Sequence, residues 1–170
     1  YLKAHYPVEF MAALLQGEHS NKDKTALYLG ECRRMNIRVL PPDVNESVDH
    51  YSAVGDDIRF GLGAVRNVGT KIVESIVEER ERADGKGKFS GFLDWVDRMP
   101  VSTLNKRTVE SLIKSGAFDS IDPNRRALFT VHESAIDQVI PLKRKEAEGQ
   151  FDLFADAGGS GSAASAALGD

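Results

Sequence analysis

Cysteine is nearly absent from this chain, since its 170 residues include only Cys32. One cysteine cannot form an internal disulfide, which excludes the disulfide-stapled secreted domains and makes the cytosol the expected compartment. No apolar run approaches the roughly 18 residues that a membrane span needs, and no signal-peptide pattern is present. We therefore expect no membrane partner.

The residue patterns of an active site are missing as well. The four histidines have no ligand spacing among them, and Cys32 has no second cysteine, so no metal site is expected. Asp56 and Asp57 fall in a predicted turn, where aspartate is common. No Ser-His-Asp arrangement and no GxxxxGK[ST] loop stands out. These absences predict a binding module with no catalytic residue.

Positive charge is outnumbered by negative charge overall and is unevenly placed. The net charge is −4, yet residues 58–145 carry 16 Lys and Arg against 12 Asp and Glu. Residues 1–57 have a net charge of −3, and residues 146–170 have a net charge of −5. The middle segment is thus the basic one. An excess of this size fits either a nucleic-acid surface or an ordinary solvated surface.

The sequence VRNVG at 65–69 predicts a tight turn that leads into an amphipathic helix over 70–82. In such a turn the backbone N–H groups of Gly69, Thr70 and Lys71 have no helical partner. Together with the helix dipole, roughly +0.5 charge, they form a site for one phosphate oxygen. This is the layout of a helix-hairpin-helix, which contacts nucleic-acid backbone and does not read bases.

The side chains of the turn fit this role. Asn67 tolerates left-handed backbone, although many hairpins of this kind have glycine there. Val68 can pack into the core, Arg66 adds positive charge, and Thr70 can cap the helix or bond a phosphate. An ordinary strand-to-helix connection that contains a glycine remains the alternative.

The remaining pattern predicts a mainly α fold with a small β element. Strands are expected at 37–40, 50–54 and 58–62, the last two as a hairpin. Helices are expected at 1–17, 22–35, 70–82, 91–98, 106–115 and 123–140. Proposed capping residues are Ser20 with Asp23 for the second helix, Ser90 for the fourth and Asn105 for the fifth, which Gly116 ends.

The helices at 91–98 and 106–115 form a second helical pair, so the two pairs together predict a tandem helix-hairpin-helix domain. Each pair is too small for a stable core, and we expect them to pack on each other. Lys106 and Arg107 begin a helix, where cations oppose the dipole. An arriving anion would explain them, and so would simple solvation of an exposed first turn.

The C-terminal part contains one short apolar island, QFDLF at 150–154, in a polar segment expected to be flexible. A glutamine followed by leucine and phenylalanine fits a partner groove with one polar contact and one deep apolar pocket. Alternatively, these residues fold back on the 123–140 helix. Residues 157–170 are rich in Gly, Ser and Ala and are expected to be disordered.

Several segments in this order resemble the alpha subunits of bacterial DNA polymerase III, the C-family replicative polymerases. The resemblance covers about residues 1–154. The segments that carry it are YLKAHYPVEFMAALL, RRMNIRVLPPDVNES, IRFGLGAVRNVG, LNKRTVESLIKSGAFDS and QFDLF. Because the chain does not begin with Met, we expect it to be a fragment of a longer protein.

The resemblance implies a domain layout and a set of partners. Residues 1–57 would be the distal fingers, 58–145 the tandem helix-hairpin-helix domain, 146–156 a clamp-binding peptide, and 157–170 a disordered tail. The implied partners are double-stranded DNA, the sliding clamp and other replisome subunits, in the bacterial cytoplasm. The implied DNA contacts are Arg66, Asn67, Val68, Gly69, Thr70, Lys71, Lys106 and Arg107, and the implied clamp contacts are Gln150, Asp152, Leu153 and Phe154.

The same resemblance places the catalytic carboxylates and the Mg²⁺ ions in a palm domain outside this chain. The parent protein would be a DNA-directed DNA polymerase, and the fragment alone would be inactive. Two other interpretations remain open: a helix-hairpin-helix module of a repair protein, and an interaction domain whose hairpins contact protein and no DNA.

Overall fold

A computed structural model describes residues 1–158, and these are mainly helical. The helices are α1 (Leu2–His5), α2 (Pro7–Gly17), α3 (Lys22–Arg34), α4 (Thr70–Glu81), α5 (Phe92–Arg98), α6 (Lys106–Ser115) and α7 (Arg125–Gly158); the strands are β1 (Val39–Leu40), β2 (Ser52–Val54) and β3 (Asp57–Arg59). Single 3₁₀ turns lie at Leu62–Ala64 and Val101–Thr103. The prediction of a mainly α fold with a small β element is confirmed. The tail predicted at 157–170 falls, from residue 159 onward, outside the described residues.

The three strands form one small sheet in the order β1-β3-β2. β2 and β3 make the predicted antiparallel hairpin, closed at Gly55, whose φ of 59° is a left-handed conformation that glycine adopts without strain. β1 runs parallel to β3, with Val39 opposite Ile58. The sheet ends at Arg59, and the 3₁₀ turn at Leu62–Ala64 connects it to the turn at 65–69.

The N-terminal helices differ from prediction in two places. The predicted helix 1–17 is interrupted at Tyr6, because Pro7 lacks an N–H and restricts the residue before it. The capping pair Ser20 and Asp23 is wrong, since Asn21 stands at the N-cap and its side chain accepts from the N–H of Lys24 at 3.2 Å. In both places the helix begins directly after its N-cap residue, which is Tyr6 for α2 and Asn21 for α3.

Two apolar clusters form the core. The smaller one joins α2, α3 and the sheet and includes Met11, Leu15 and Tyr51, whose burial raises its pKa to about 12. The larger one lies between α4, α5, α6 and α7 and is centred on aromatic side chains such as Trp95. Phe60 packs against both clusters, so the sheet region and the helical region form one continuous body.

The second helical pair is capped by long-range contacts as well as local ones. Asn105 caps α6, and Gly116 ends it with a φ of 88°, both as predicted. Ser90 does not cap α5; Gly91 occupies the N-cap, and the N–H of Phe92 donates to a carboxylate oxygen of Asp122 at 3.2 Å. A side chain from the later loop thus replaces the missing local cap.

Helix α7 is much longer than the predicted 123–140. It continues through Pro141 to Gly158. Residues 146–158, which were expected to be flexible, are therefore helical. The stretch LKRKEAE at 142–148 consists of strong helix formers, which explains the extension. Lys143 holds α7 against the end of α5, because its Nζ donates to the carbonyl oxygens of Asp97 and Met99. Burial lowers the pKa of Lys143 at this contact.

Candidate nucleic-acid interface

The two hairpins share a turn hydrogen bond and a similar helix sequence. The N–H of Val68 bonds the carbonyl of Val65 at 3.2 Å, and the N–H of Leu104 bonds the carbonyl of Val101 at 3.1 Å. The helices that follow begin alike, with VESIV at 73–77 and VESLI at 109–113. This internal repeat is visible in the sequence and is the signal that sequence reasoning missed. It aligns Gly69 of the first turn with Asn105 of the second.

The first turn leaves the start of α4 open. Gly69 is the N-cap and offers no side chain, and no atom lies within 4 Å of the place where its Cβ would be. The N–H groups of Thr70 and Lys71 have no acceptor among residues 1–158. Arg66 and Lys71 are exposed, whereas Val68 is only 6% exposed and fills the core side of the turn. The structure thus exposes both cations and buries Val68, and the DNA contacts expected at this turn stay predictions.

Asn67 has a φ of 63°, in the left-handed region that costs most residues about 1–2 kcal/mol. Two contacts to α6 offset this cost. The Asn67 amide Nδ2 donates to Ser111 Oγ at 3.0 Å, and the Asn67 carbonyl accepts from Thr108 Oγ1 at 2.8 Å. A typical hydrogen bond contributes about 1 kcal/mol net. The departure from glycine at this position is thus explained by contacts with the second hairpin.

The second turn is closed by its own side chains. Asn105 Oδ1 accepts from the N–H groups of Arg107 at 2.9 Å and Thr108 at 3.4 Å. The ammonium of Lys106 pairs with Asp137 of α7 at 2.8 Å, which raises the pKa of Lys106. The N–H groups of Arg107 and Thr108 are therefore occupied, whereas the N–H of Lys106 has no acceptor among residues 1–158. Asp137 pairs with the Lys106 ammonium at the helix start.

Arg107 joins the first turn. It is exposed, makes no ion pair among the described residues, and lines a groove of about 870 Å³ together with Arg66 and Asn67. Pro41 and Pro42 line the same groove. The structure thus brings three of the predicted DNA contacts, Arg66, Asn67 and Arg107, to one groove, whereas Lys106 pairs with Asp137 of α7.

The residues predicted to bind a clamp lie on the last part of α7. Gln150 and Asp152 are exposed, and the apolar side chains of Phe151 and Leu153 are 81% and 74% exposed. The alternative in which these apolar residues fold back on the 123–140 helix is wrong for Phe151 and Leu153. The side chain of Phe154 lies outside what the structure describes.

Comparison with known proteins agrees with this geometry. Residues 36–128, more than half of the chain, match the family model of the helix-hairpin-helix motif. The chain belongs to this helix-hairpin-helix family. The match spans both hairpins, from the residues before β1 to the first turn of α7.

The chain is also similar to proteins called DNA polymerase III subunit alpha. It is 57% identical to that of Saccharopolyspora erythraea over 162 residues, 53% to that of Mycobacterium tuberculosis over 154, and 44% to that of Thermus aquaticus over 156. These matches cover 94%, 91% and 92% of this chain, but only 13%, 13% and 12% of the relatives. The resemblance seen in the sequence is confirmed, and the chain spans about an eighth of the length of these relatives.

Two features are absent from the described residues. No three His, Cys, Asp or Glu side chains within 1–158 stand close enough together to hold a metal ion. Over the same residues, no helix has both the length and the apolar character needed to cross a bilayer.

Proposed function

We propose that this chain is a non-catalytic part of a bacterial replicative DNA polymerase that grips the backbone of duplex DNA through its first hairpin. The observation that carries the proposal is the open N-terminus of α4 at Gly69. Two unpartnered N–H groups point out of the turn there, and the exposed cations Arg66 and Lys71 flank them. A helix start of this kind, with added positive charge, binds phosphate.

The geometry favours backbone contact over base recognition. Main-chain N–H groups and flexible cations recognise phosphate, which is the same at every base pair. Arg107 adds a third cation on the same surface. We therefore expect duplex binding with little sequence preference and with an affinity that falls as salt rises.

A salt titration of duplex binding tests the proposal. Each phosphate contact contributes about −0.9 to the slope of log K against log salt for B-form DNA. Arg66→Ala and Lys71→Ala are each expected to make the slope less negative by about 0.9. Fluorescence anisotropy with two duplexes of unrelated sequence, at several salt concentrations, measures both effects.

Lys22→Ala is the matched control, because Lys22 is an exposed lysine in α3, away from the hairpin turns, with no ion-pair partner among the described residues. It changes the net charge equally and should leave the slope unaltered. Binding that ignores salt, or that differs strongly between the two duplexes, would sink the proposal. It would favour the interaction domain whose hairpins contact protein. The names of the similar proteins support replication over a repair module.

We further propose that Gln150, Asp152, Leu153 and Phe154 bind the sliding clamp. The support is the strong exposure of apolar side chains at this site, since Leu153 is 74% exposed on a helix that carries no core there. Exposed apolar clusters on a polar segment are typical of partner binding. The motif would tether the polymerase to the ring while the hairpin holds the duplex.

Replacing Leu153 and Phe154 together by alanine is expected to weaken capture of the chain by a purified bacterial clamp at least tenfold. Two buried apolar anchors typically contribute more than 1 kcal/mol each to such an interface. Leu142→Ala is the control, because Leu142 is also exposed on α7, at 60%, outside the motif. Equal capture of the double variant and the control would show that the motif does not bind the clamp.

No catalytic role is part of this proposal. Polymerisation would belong to other parts of the longer protein, in the bacterial cytoplasm and with other replisome subunits. The Mg²⁺ ions implied for a polymerase do not fit this chain, because no metal-binding group of acidic or histidine side chains is found within 1–158. The chain alone is therefore expected to be inactive in nucleotide incorporation.

A further inference from the structure

We infer that α6 positions the first turn for DNA binding, through Thr108 and Ser111, and that the ammonium of Lys106 in the second turn contacts no phosphate. This inference rests on the proposed DNA binding. It assigns to these two hydroxyl residues a positioning role in backbone recognition.

The repeat allows the two hairpins to be compared position by position. At the same position of the two hairpins, the first has Gly69, which has no side chain to occupy helix donors, and the second has Asn105, which occupies the N–H groups of Arg107 and Thr108. The lysine after Asn105 is paired with Asp137. The second turn therefore offers a phosphate one free N–H, that of Lys106, where the first turn offers two, and its lysine ammonium is already paired.

The repeat also marks the positioning residues. Ser75 in α4 and Ser111 in α6 are equivalent, and they do different things. Ser75 Oγ donates to the carbonyl of Lys71 within its own helix at 3.0 Å, whereas Ser111 Oγ accepts from Nδ2 of Asn67 in the other hairpin at 3.0 Å. Serine commonly makes a bond of the first kind within its own helix, and such a bond does not connect the two hairpins. The second bond links the two hairpins.

Thr108 completes the link from a buried position. It is 4% exposed, and its Oγ1 donates to the carbonyl of Asn67 at 2.8 Å. Asn67 is thus held on both its backbone and its side chain, two residues before the open helix start. Because its left-handed conformation turns the chain, these two bonds set the direction in which Gly69, Thr70 and Lys71 present their N–H groups.

Loss of this support lowers the population of the binding-competent turn, and it removes no phosphate contact. The apparent dissociation constant then rises by the inverse of the competent fraction, while the salt slope stays the same. A missing contact to DNA has the opposite signature, since it changes the slope. The two kinds of variant can therefore be told apart in one titration.

Thr108→Val and Ser111→Ala are expected to weaken duplex binding about fivefold each, the equivalent of one hydrogen bond, with an unchanged salt slope. Thr108→Ser, which keeps the hydroxyl, should restore affinity, and Ser75→Ala should bind like the unaltered chain. Lys106→Ala should leave the slope unchanged, in contrast with Arg66→Ala. Thermal unfolding of each variant shows whether the fold is kept. Ser111, which is only partly buried, provides the test if Thr108→Val unfolds.

If Arg66→Ala lowers affinity and slope while Thr108→Val and Ser111→Ala bind like the unaltered chain, the positioning role is overturned and DNA binding stands. A reduced slope for Lys106→Ala would also overturn it, by showing that the second turn contacts phosphate. If the unaltered chain shows no salt-dependent binding, both the proposed function and this inference fail.

Discussion

Replacing Arg98 by methionine is expected to lower the free energy of unfolding by about 3–5 kcal/mol. The change leaves the largely buried Glu79 carboxylate with only the exposed Arg82 as its partner, and it leaves the Gly87 carbonyl without its donor. The Arg98 side chain is only 5% exposed. Its guanidinium donates to the carboxylate of Glu79 at 3.1 Å and to the carbonyl oxygen of Gly87 at 2.6 Å, and it lies 4.5 Å from the ring centroid of Phe89. Methionine fills the space but supplies none of these bonds.

The chain contains a close control for this change. Arg82 contacts the same carboxylate of Glu79, at 3.2 Å, but its side chain is 56% exposed. Exposed pairs contribute about 0–1 kcal/mol, so Arg82→Met should cost less than about 1 kcal/mol. Urea unfolding followed by Trp95 fluorescence measures both variants. Equal losses for the two arginines would show that burial is not what makes Arg98 important.

Replacing Gly61 by alanine is expected to destabilise the fold by about 3 kcal/mol, the upper part of the range for overpacking. A Cβ at Gly61 would lie 2.5 Å from the backbone carbonyl oxygen of Asp49, and backbone cannot move aside as a flexible side chain does. The same close approach carries the hydrogen bond from the N–H of Leu62 to the carbonyl of Val48, at 2.8 Å. The clash would therefore loosen the segment that leads into the first hairpin.

Gly30→Ala is a control for which we expect the opposite change in stability. Gly30 lies inside α3, and no atom is found within 4 Å of where its Cβ would be. Alanine there should stabilise the protein by about 0.5–1 kcal/mol, because glycine is the poorer helix residue. The midpoint of urea unfolding should move down for Gly61→Ala and up for Gly30→Ala. A neutral Gly61→Ala would mean that the 48–50 segment shifts at little cost.

Features that depend on neighbouring residues could be predicted from the sequence. Asn105 and Gly116 bound α6 as expected, and the turn at 65–69 opens into a helix at Thr70, because capping and left-handed turns are decided within a few residues. The polar roles expected for Arg66 and Lys71 rested on the same local pattern. Both side chains are exposed at the turn, as that pattern predicts.

Features that depend on tertiary contacts could not be predicted in this way. Nothing near Asn67 in the sequence shows that Ser111 supports it, 44 residues away. Asp122, 30 residues from Phe92, replaces the expected cap of α5 for the same reason. Lys106 was expected to be free for an anion, but its ammonium pairs with Asp137, which lies 31 residues away in the sequence. The support of Asn67 by α6 and the pairing of Lys106 therefore became visible only in three dimensions.

The continuation of α7 beyond Lys143 determines how far Leu153 lies from the contact between α7 and α5. An α-helix rises about 1.5 Å per residue, so Leu153 stands about 15 Å further along the axis than the point where Lys143 fastens α7 to α5. A stiff helical spacer, unlike a flexible linker, favours simultaneous binding at two sites only when their separation matches its length. Under the proposed function, a clamp bound at the end of α7 would consequently be held at one distance from the duplex that the first hairpin would contact.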